Sequence, residues 1–478
     1  CKQTLQDKID SLDVYVTTVD SYRVVSNGVL KSRRFHNGHV TEHWQHRYPV
    51  MPYLVAVAIT NYDVYQFQME LASGDSLPVV NYLYPEFYKA NSQRVDYTIK
   101  AMKMFEKLVG PYPFAREQYG HARMSQGGAM EHQTMSFMGD FSKDFITHEL
   151  AHQWFGNKVT CGSWQDIWLN EGFATYFTGL TKAYIEGENA WDKWKAQKLK
   201  TITSRPNGAV FIEHNLSADR IFNWRLSYSK GAYVLHMLRW RLGDSNFYQG
   251  LRNYLRDPEL AYGTALTEDL KGHLEEVSGQ SLDEFFQDWI YGEGYPVYDI
   301  RWTNRKENWV ALQVNQDQSH QSVDFFEMEV PVLLKGAKRD TLVILNADKD
   351  NKVFFKEVGF KVESVEFDPE MWLLARADVK KTNNFKERSP FVNRVQVYPN
   401  PVKNKIHLKL NGNCRKLIKF VLINNEGVRI KKAEISRGVV PQSVIDLQLT
   451  GIKPGLYLLK LKCSSKQVVK KIVKIASE

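Results

Sequence analysis

The chain has 478 residues, too many for one ordinary hydrophobic core, so two to four domains are expected. Apolar residues make up 43% and Trp numbers 12, ample for large cores, which excludes a disordered polymer. The net charge of +9 is uneven: residues 379–478 hold 22 Lys and Arg against 5 Asp and Glu, or +17, leaving the first 378 at −8.

Strand signals come first. Leu12 to Val19, Tyr22 to Leu30, His39 to Tyr48 and Tyr53 to Ile59 are rich in Val, Tyr and Thr, with turns expected at Asn27-Gly28 and Asn37-Gly38. They read as the end of an N-terminal β-domain, residues 1–75, rather than as a whole one. The chain starts at Cys1 with no charged-then-apolar leader and reads as a mature or truncated form. From about Arg94 the period turns helical. Val95 to Leu108 is stopped by Gly110-Pro111, and Ser142 is placed to cap a second helix running to Gly156. Ser229 to Arg241 and Asp244 to Leu255 follow. Two more helices open at Thr267-Glu-Asp-Leu and Ser281-Leu-Asp-Glu, the last with the pattern of a capping box.

This block, residues 76–295, ends at Gly292 to Pro296. Alternation of period two returns at Tyr298 to Trp302, Trp309 to Val314, Phe326 to Leu334 and Thr341 to Leu345, a small antiparallel β-domain over 296–378. A polar linker is expected at 379–394. A β-sandwich is expected over 395–478, with turns at Asn411-Gly412, Glu426-Gly427 and Pro454-Gly455. Its basic charge comes without RNA-stacking aromatics or a helix-turn-helix pattern, so no nucleic-acid partner is expected and a lysine-rich solvated surface is. No window of 18 apolar residues exists, so no transmembrane segment is expected. The four cysteines form no CxxC pair. Cys161 reads as a buried small hydrophobe, and Cys414 and Cys463 share the tail as candidates for a disulfide.

The chemistry sits in His148-Glu149-Leu150-Ala151-His152, an HExxH pattern. On a helix, residues i and i+4 stand on one face, so both imidazoles reach one metal ion. Glu149 is turned by about 100° and addresses a metal-associated water without being a ligand. Ile146, Leu150 and Trp154 recur every four residues and bury the opposite side. HExxH alone is weak, since a helix with two satisfied histidines matches it equally well. After His152 come 18 residues and then Glu171, in Trp168-Leu-Asn-Glu-Gly-Phe-Ala. A carboxylate from a neighbouring helix completes a His₂Glu set with one position open to water, as a hydrolytic zinc site requires.

These residues reach a family. HExxH, 18 residues and Asn-Glu-Gly-Phe-Ala resemble the aminopeptidase N-like zinc metallopeptidases. Upstream, Gly127-Gly128-Ala129-Met130-Glu131 resembles that family's GAMEN exopeptidase motif, with His132 in place of the usual Asn. Downstream, Tyr228-Ser-Lys-Gly resembles the segment carrying its transition-state tyrosine. The resemblance implies a multidomain α+β chain: a partial N-terminal β-domain, a thermolysin-like catalytic domain with a helical extension, a small β-domain and a C-terminal β-sandwich. It further implies one zinc ion per chain on His148, His152 and Glu171, with Glu149 as general base and Tyr228 as oxyanion stabiliser. Glu131 would bind the α-ammonium of peptides with a free N-terminus, while Gly127, Gly128, Ala129 and Met130 flank the extended substrate backbone. His132 is expected to be a structural loop histidine. A thermolysin-like endopeptidase and a non-catalytic scaffold on the same fold are the alternatives.

In the tail, Val395-Gln-Val-Tyr-Pro-Asn-Pro401, Gly451-Ile-Lys-Pro-Gly-Leu-Tyr457 and a final strand from Gln467 to Ile475 with Lys470-Lys471 resemble the C-terminal sorting domain of type IX secretion in Gram-negative bacteria. That implies a secretion machinery as partner, and location outside the cell or on the outer-membrane surface. A Cys414–Cys463 bridge would be permitted there.

Overall fold

Side chains along Leu12–Val19 alternate between half-buried and exposed, as one-sided packing of a pleated strand requires. The computed structural model describes residues 7–476 except 215, 306–307, 384, 386–394, 411–417, 425–426, 436–443 and 464–465. It divides into two units, residues 1–291 with 370–374, and residues 292–369 with 375–478.

The first unit opens with β1 (Leu12–Val19), β2 (Arg23–Ser26), β3 (Val29–His36), β4 (His39–His46) and β5 (Val57–Thr60). β1, β4 and β3 form an antiparallel sheet in that order. Asn37 and Gly38, both at positive φ (45° and 75°), make the tight turn between β3 and β4. The run from Tyr22 to Leu30 is broken at the expected Asn27-Gly28 turn into two strands in different sheets, because β2 pairs with β5 while β3 pairs with β4. Space dictates Gly28: a Cβ there would lie 2.0 Å from the Gln45 carbonyl oxygen.

A five-stranded sheet follows, built from β6 (Asp63–Glu70), β7 (Ser76–Leu83), β8 (Tyr119–Arg123), β9 (Ala129–Met130) and β10 (Ser136–Met138), in the order β6-β7-β8-β10-β9. Its centre is parallel and both outer pairs are antiparallel, which leaves β9 as an edge. The helices are α1 (Tyr88–Val95), α2 (Tyr97–Val109), α3 (Lys143–His152), α4 (Trp168–Thr181), α5 (Glu188–Ile202), α6 (Ala218–Ile221), α7 (Gly231–Arg256), α8 (Thr267–Ser278) and α9 (Asp283–Phe286). α2 stops at Gly110, at φ 103°. Gly243, at φ 74° and ψ 158°, breaks α7 where two helices were expected. A buried cluster of Leu83, Val95, Met138, Phe141 and Ile146 seats α3 against this sheet. Among the described residues, no helix is long and apolar enough to cross a membrane.

In the second unit, Pro296–Asn304 and Trp309–Gln318 pair antiparallel, flanked by Lys352–Glu357 and by Arg376–Lys381. A three-stranded sheet centres on Met328–Lys335. The tail holds a three-stranded and a four-stranded sheet that share one cluster, including Ile406, Leu408, Phe420, Leu459 and Ile472. The candidate Cys414–Cys463 bridge lies outside the described residues.

Candidate metal centre

Helix α3 begins where Ser142, in extended conformation, accepts a hydrogen bond on its hydroxyl from the Phe145 N–H. Its inner face is anchored as expected: Ile146, Leu150 and Trp154 are buried, and the Trp154 indole donates to the carbonyls of Gly110 and Pro111 at 3.1 Å. α4 is buried along its whole length and brings Glu171 forward in its first turn.

His148 Nε2, His152 Nε2 and Glu171 Oε2 thereby meet, with separations of 3.1, 3.3 and 3.4 Å. Donors at about 2.0–2.1 Å from a tetrahedral ion stand about 3.3–3.4 Å apart, so the triangle fits such an ion. The His152 Nδ1–H donates to the Phe155 carbonyl at 3.0 Å, which turns Nε2 toward the triangle as the acceptor atom. Gly156, at φ 135°, permits that turn, since a Cβ would lie 3.0 Å from His152 Nδ1. A positive charge belongs between these groups. Burial opposes charging His152, yet Glu171 and Glu131 outweigh it and hold the imidazole up at about 10. Burial likewise opposes ionisation of Glu171, but His152 and the hydrogen bonds from both histidines hold it at about 2.

Glu149 and Glu131 face the same space. Each places a carboxylate oxygen within 4.8 Å of the other's and of His152. Burial pushes Glu149 well up, and the Glu131 and Glu171 carboxylates add to it. Glu131 is raised by burial too. The Glu131 loop is tied to the end of α3: the Asn157 amide donates to the Glu131 carbonyl at 2.8 Å, and the Thr134 N–H donates to Gln153 Oε1 at 2.9 Å. Tyr228 stands on a π-helical turn, Trp224–Lys230, with its ring parallel to that of His148 at 6.0 Å. Burial raises its hydroxyl, and the nearby carboxylates raise it further, so it remains a hydrogen-bond donor.

A cavity of about 1240 Å³ joins these groups. Gly128, Ala129, Met130 and Glu131 form one wall, with β9 presenting its unpaired edge. Gly127 is not among the lining residues. Nor is His132, whose ring packs edge-on against Phe137 at 4.8 Å. Cys161 is buried and free, its thiol raised by burial, so it is no thiolate ligand. Sequence reasoning missed Tyr53, Asn157 and Lys198. Tyr53 and Lys198 line the cavity, and none of the three lies in a local motif.

Residues 94–289 match the peptidase family M1 domain, and residues 396–475 match the secretion system C-terminal sorting domain. The chain is 30% identical over 312 residues to aminopeptidase M1-D of Oryza sativa subsp. japonica, covering 60% of this chain and 34% of that protein. It is 25% identical to a leucyl aminopeptidase of Saccharolobus solfataricus, covering 70% and 44%, and 28% identical to aminopeptidase A of Gloydius brevicauda, covering 79% and 44%. The fold is similar to that of Legionella pneumophila aminopeptidase A solved with aspartic acid: TM-score 0.68, 18% identity, 79% of this chain and 46% of that one. The chain thus spans between a third and a half of the length of these proteins.

Proposed function

We propose, from the peptidase family M1 domain that this chain carries at residues 94–289, that it is a zinc aminopeptidase removing N-terminal residues from peptides. The observation that carries this is the donor triangle of His148, His152 and Glu171 beside the buried Glu131 and Glu149 carboxylates in one cavity. These three donors suit one zinc ion per chain, which in such a set supplies Lewis acidity toward water and the scissile carbonyl.

The chain's own groups do the rest. Glu149, pushed up by burial, takes a proton from the attacking water and holds it for the leaving amine, which needs a carboxyl that is neither too weak nor too strong a base. Tyr228 donates its hydroxyl hydrogen to the oxyanion as it develops. Glu131 pairs with the substrate's α-ammonium. An internal peptide segment would leave that buried carboxylate without its cation, which selects for a free N-terminus. The open edge of β9, entered through Gly128 at φ 83°, offers backbone groups to an extended peptide.

The layout we propose keeps the catalytic domain at residues 76–295, preceded by β-structure and followed by the small β-domain at 296–378. The linker at 379–394 begins in the strand Arg376–Lys381, and the sorting domain follows at 395–478. That last domain supports export from a Gram-negative bacterium through its secretion machinery, to the medium or the outer-membrane surface.

Cleavage of a free peptide beside its N-acetylated form tests the activity. Hydrolysis of the free peptide alone is expected; equal cleavage of both would point to a thermolysin-like endopeptidase. Chelation should abolish the rate, and zinc at one equivalent should restore it. A chain that binds zinc and cleaves neither peptide would be a scaffold.

A further inference from the structure

The same cavity continues past His148 to α5, where Lys198 lines its wall. Lys198 is 7% exposed, yet its ammonium has no carboxylate within ion-pair distance and no hydrogen bond among the described residues. Lysines so buried are almost always paired. This one lies over indole faces instead, 4.6 Å from the Trp224 ring centre and 5.6 Å from that of Trp194. Two aromatic faces compensate a desolvated cation only in part. Burial accordingly pulls the ammonium down to about 8, with Asp144 opposing and Lys182 adding to the fall, so it is still cationic at pH 7.

The nearby acids are taken. Asp144 pairs with Lys182 at 2.5 Å, and Glu186 with Lys143 at 3.3 Å. Trp224 in turn packs against Tyr228 at 5.1 Å, so one indole separates the cation from the oxyanion donor. Its position relative to α3 also matters. Glu149 and His152 stand beside Glu131, and all three line one cavity with Asp144, Phe145 and His148 of α3 and with Lys198 of α5. A peptide whose amine sits on Glu131 has room to bring a further group toward Lys198.

We propose that Lys198 is a specificity-determining residue that binds a carboxylate of the peptide, so that the site selects substrates that present a carboxylate to it. The proposal rests on the aminopeptidase assignment and names the substrate class of that site. Three sources present the same chemistry: the side chain of the first residue, that of the second, or the C-terminal carboxylate of a short peptide. Each would form a charge-assisted hydrogen bond away from bulk water. Glu131, Glu149 and Glu171 repel such a substrate, so its acceptance depends on a cation placed apart from the metal.

The test uses the full, zinc-loaded chain and three peptide pairs: Glu against Gln at the first residue, Glu against Gln at the second, and free acid against amide at the C-terminus. In at least one pair the acid should be preferred by about tenfold to a hundredfold in kcat/KM, the worth of one hydrogen bond to a charged group. The responding pair identifies the source. In Lys198→Met that ratio should collapse toward one, while Lys198→Arg keeps it. A wild-type chain without acid preference, or a variant that loses acid and amide substrates in equal proportion, would overturn the proposal. If the wild-type chain cleaves no free-amine peptide, the aminopeptidase assignment fails separately. Tryptophan fluorescence titration with the same pairs then decides: tighter acid binding lost in Lys198→Met supports the role, and equal binding refutes it.

Discussion

Glu149→Gln removes a proton acceptor while keeping the shape of the side chain, and so isolates acid–base chemistry from metal binding. The rate should fall by about 10²–10⁴, with zinc content unchanged by elemental analysis. Tyr228→Phe removes only the donor and should lower kcat by about 10²–10³ with little change in KM, because the hydrogen bond forms in the transition state. A third outcome follows from His152. Its folded, metal-free pKa of about 10 exceeds the ordinary 6.5. The proton therefore stabilises the empty site fully below pH 6.5, and that contribution is lost as pH rises through 10. Zinc must displace this proton, so calorimetric titration at pH 8 in buffers of different ionisation enthalpy should show about one proton released per ion. At this scale the sequence was most legible where the chemistry repeats at helical spacing. His148, His152 and Glu171 could be named because i and i+4 share a face and the second helix follows closely. Asn157 and Lys198 could not, since their partners, the Glu131 carbonyl and the Trp224 ring, are met only after the chain folds back.

Helix α4 carries Glu171, α7 follows directly on the turn of Tyr228, and the two helices touch where both lack side chains. A Cβ on Gly172 would lie 3.0 Å from the Gly231 carbonyl carbon, backbone against backbone. Gly172→Ala should therefore push the helices apart, destabilising the protein by about 1–3 kcal/mol and lowering kcat through misplacement of the neighbouring Glu171. Gly272→Ala, on the exposed face of α8 with nothing within 4 Å of the new Cβ, should instead stabilise by about 0.5–1 kcal/mol. Urea midpoints of the two variants against wild type check both signs. Elements were readable where one period ran between clear stops, as in α2 before Gly110 or β1 across its full length. They were misread where two sheets exchange strands. Val24 and Leu30 look like one β-run marked only by the Asn27-Gly28 turn, but their neighbours come from β5 and β4, and that choice of partners is made by tertiary pairing. The short edge β9 has two residues and no periodicity to display, so only the glycines before it marked the place.

Across the first unit, three histidines far apart in sequence, His121 and His236 buried and His132 half-buried, are held toward the neutral form, and together they shape its response to acid. Burial holds His121 at about 3, where its Nδ1 shares a 2.7 Å hydrogen bond with the Asn81 side chain. Burial lowers His132 to about 4 and His236 well below its ordinary value. A folded pKa below that of the unfolded chain means that unfolding takes up protons once the pH falls under 6.5. Stability is thus intact above 6.5 and declines until the pH passes the folded values. At pH 5 His121 and His132 each cost about 2 kcal/mol, roughly 4 kcal/mol together and close to the whole stability of a marginal domain, and His236 acts in the same direction. Acid unfolding should then set in between pH 6 and 4, read as a falling urea midpoint. Loss of zinc from His148 and His152 over the same range gives a similar trend, so wild type alone does not separate the causes. His121→Asn keeps an amide donor within reach of Asn81, removes one titrating group and leaves the metal ligands untouched. Its midpoint should start below wild type at pH 7 and fall less steeply, by close to one proton's worth of slope between pH 6 and 4. Parallel slopes in the two proteins would remove His121 from the causes of the acid sensitivity.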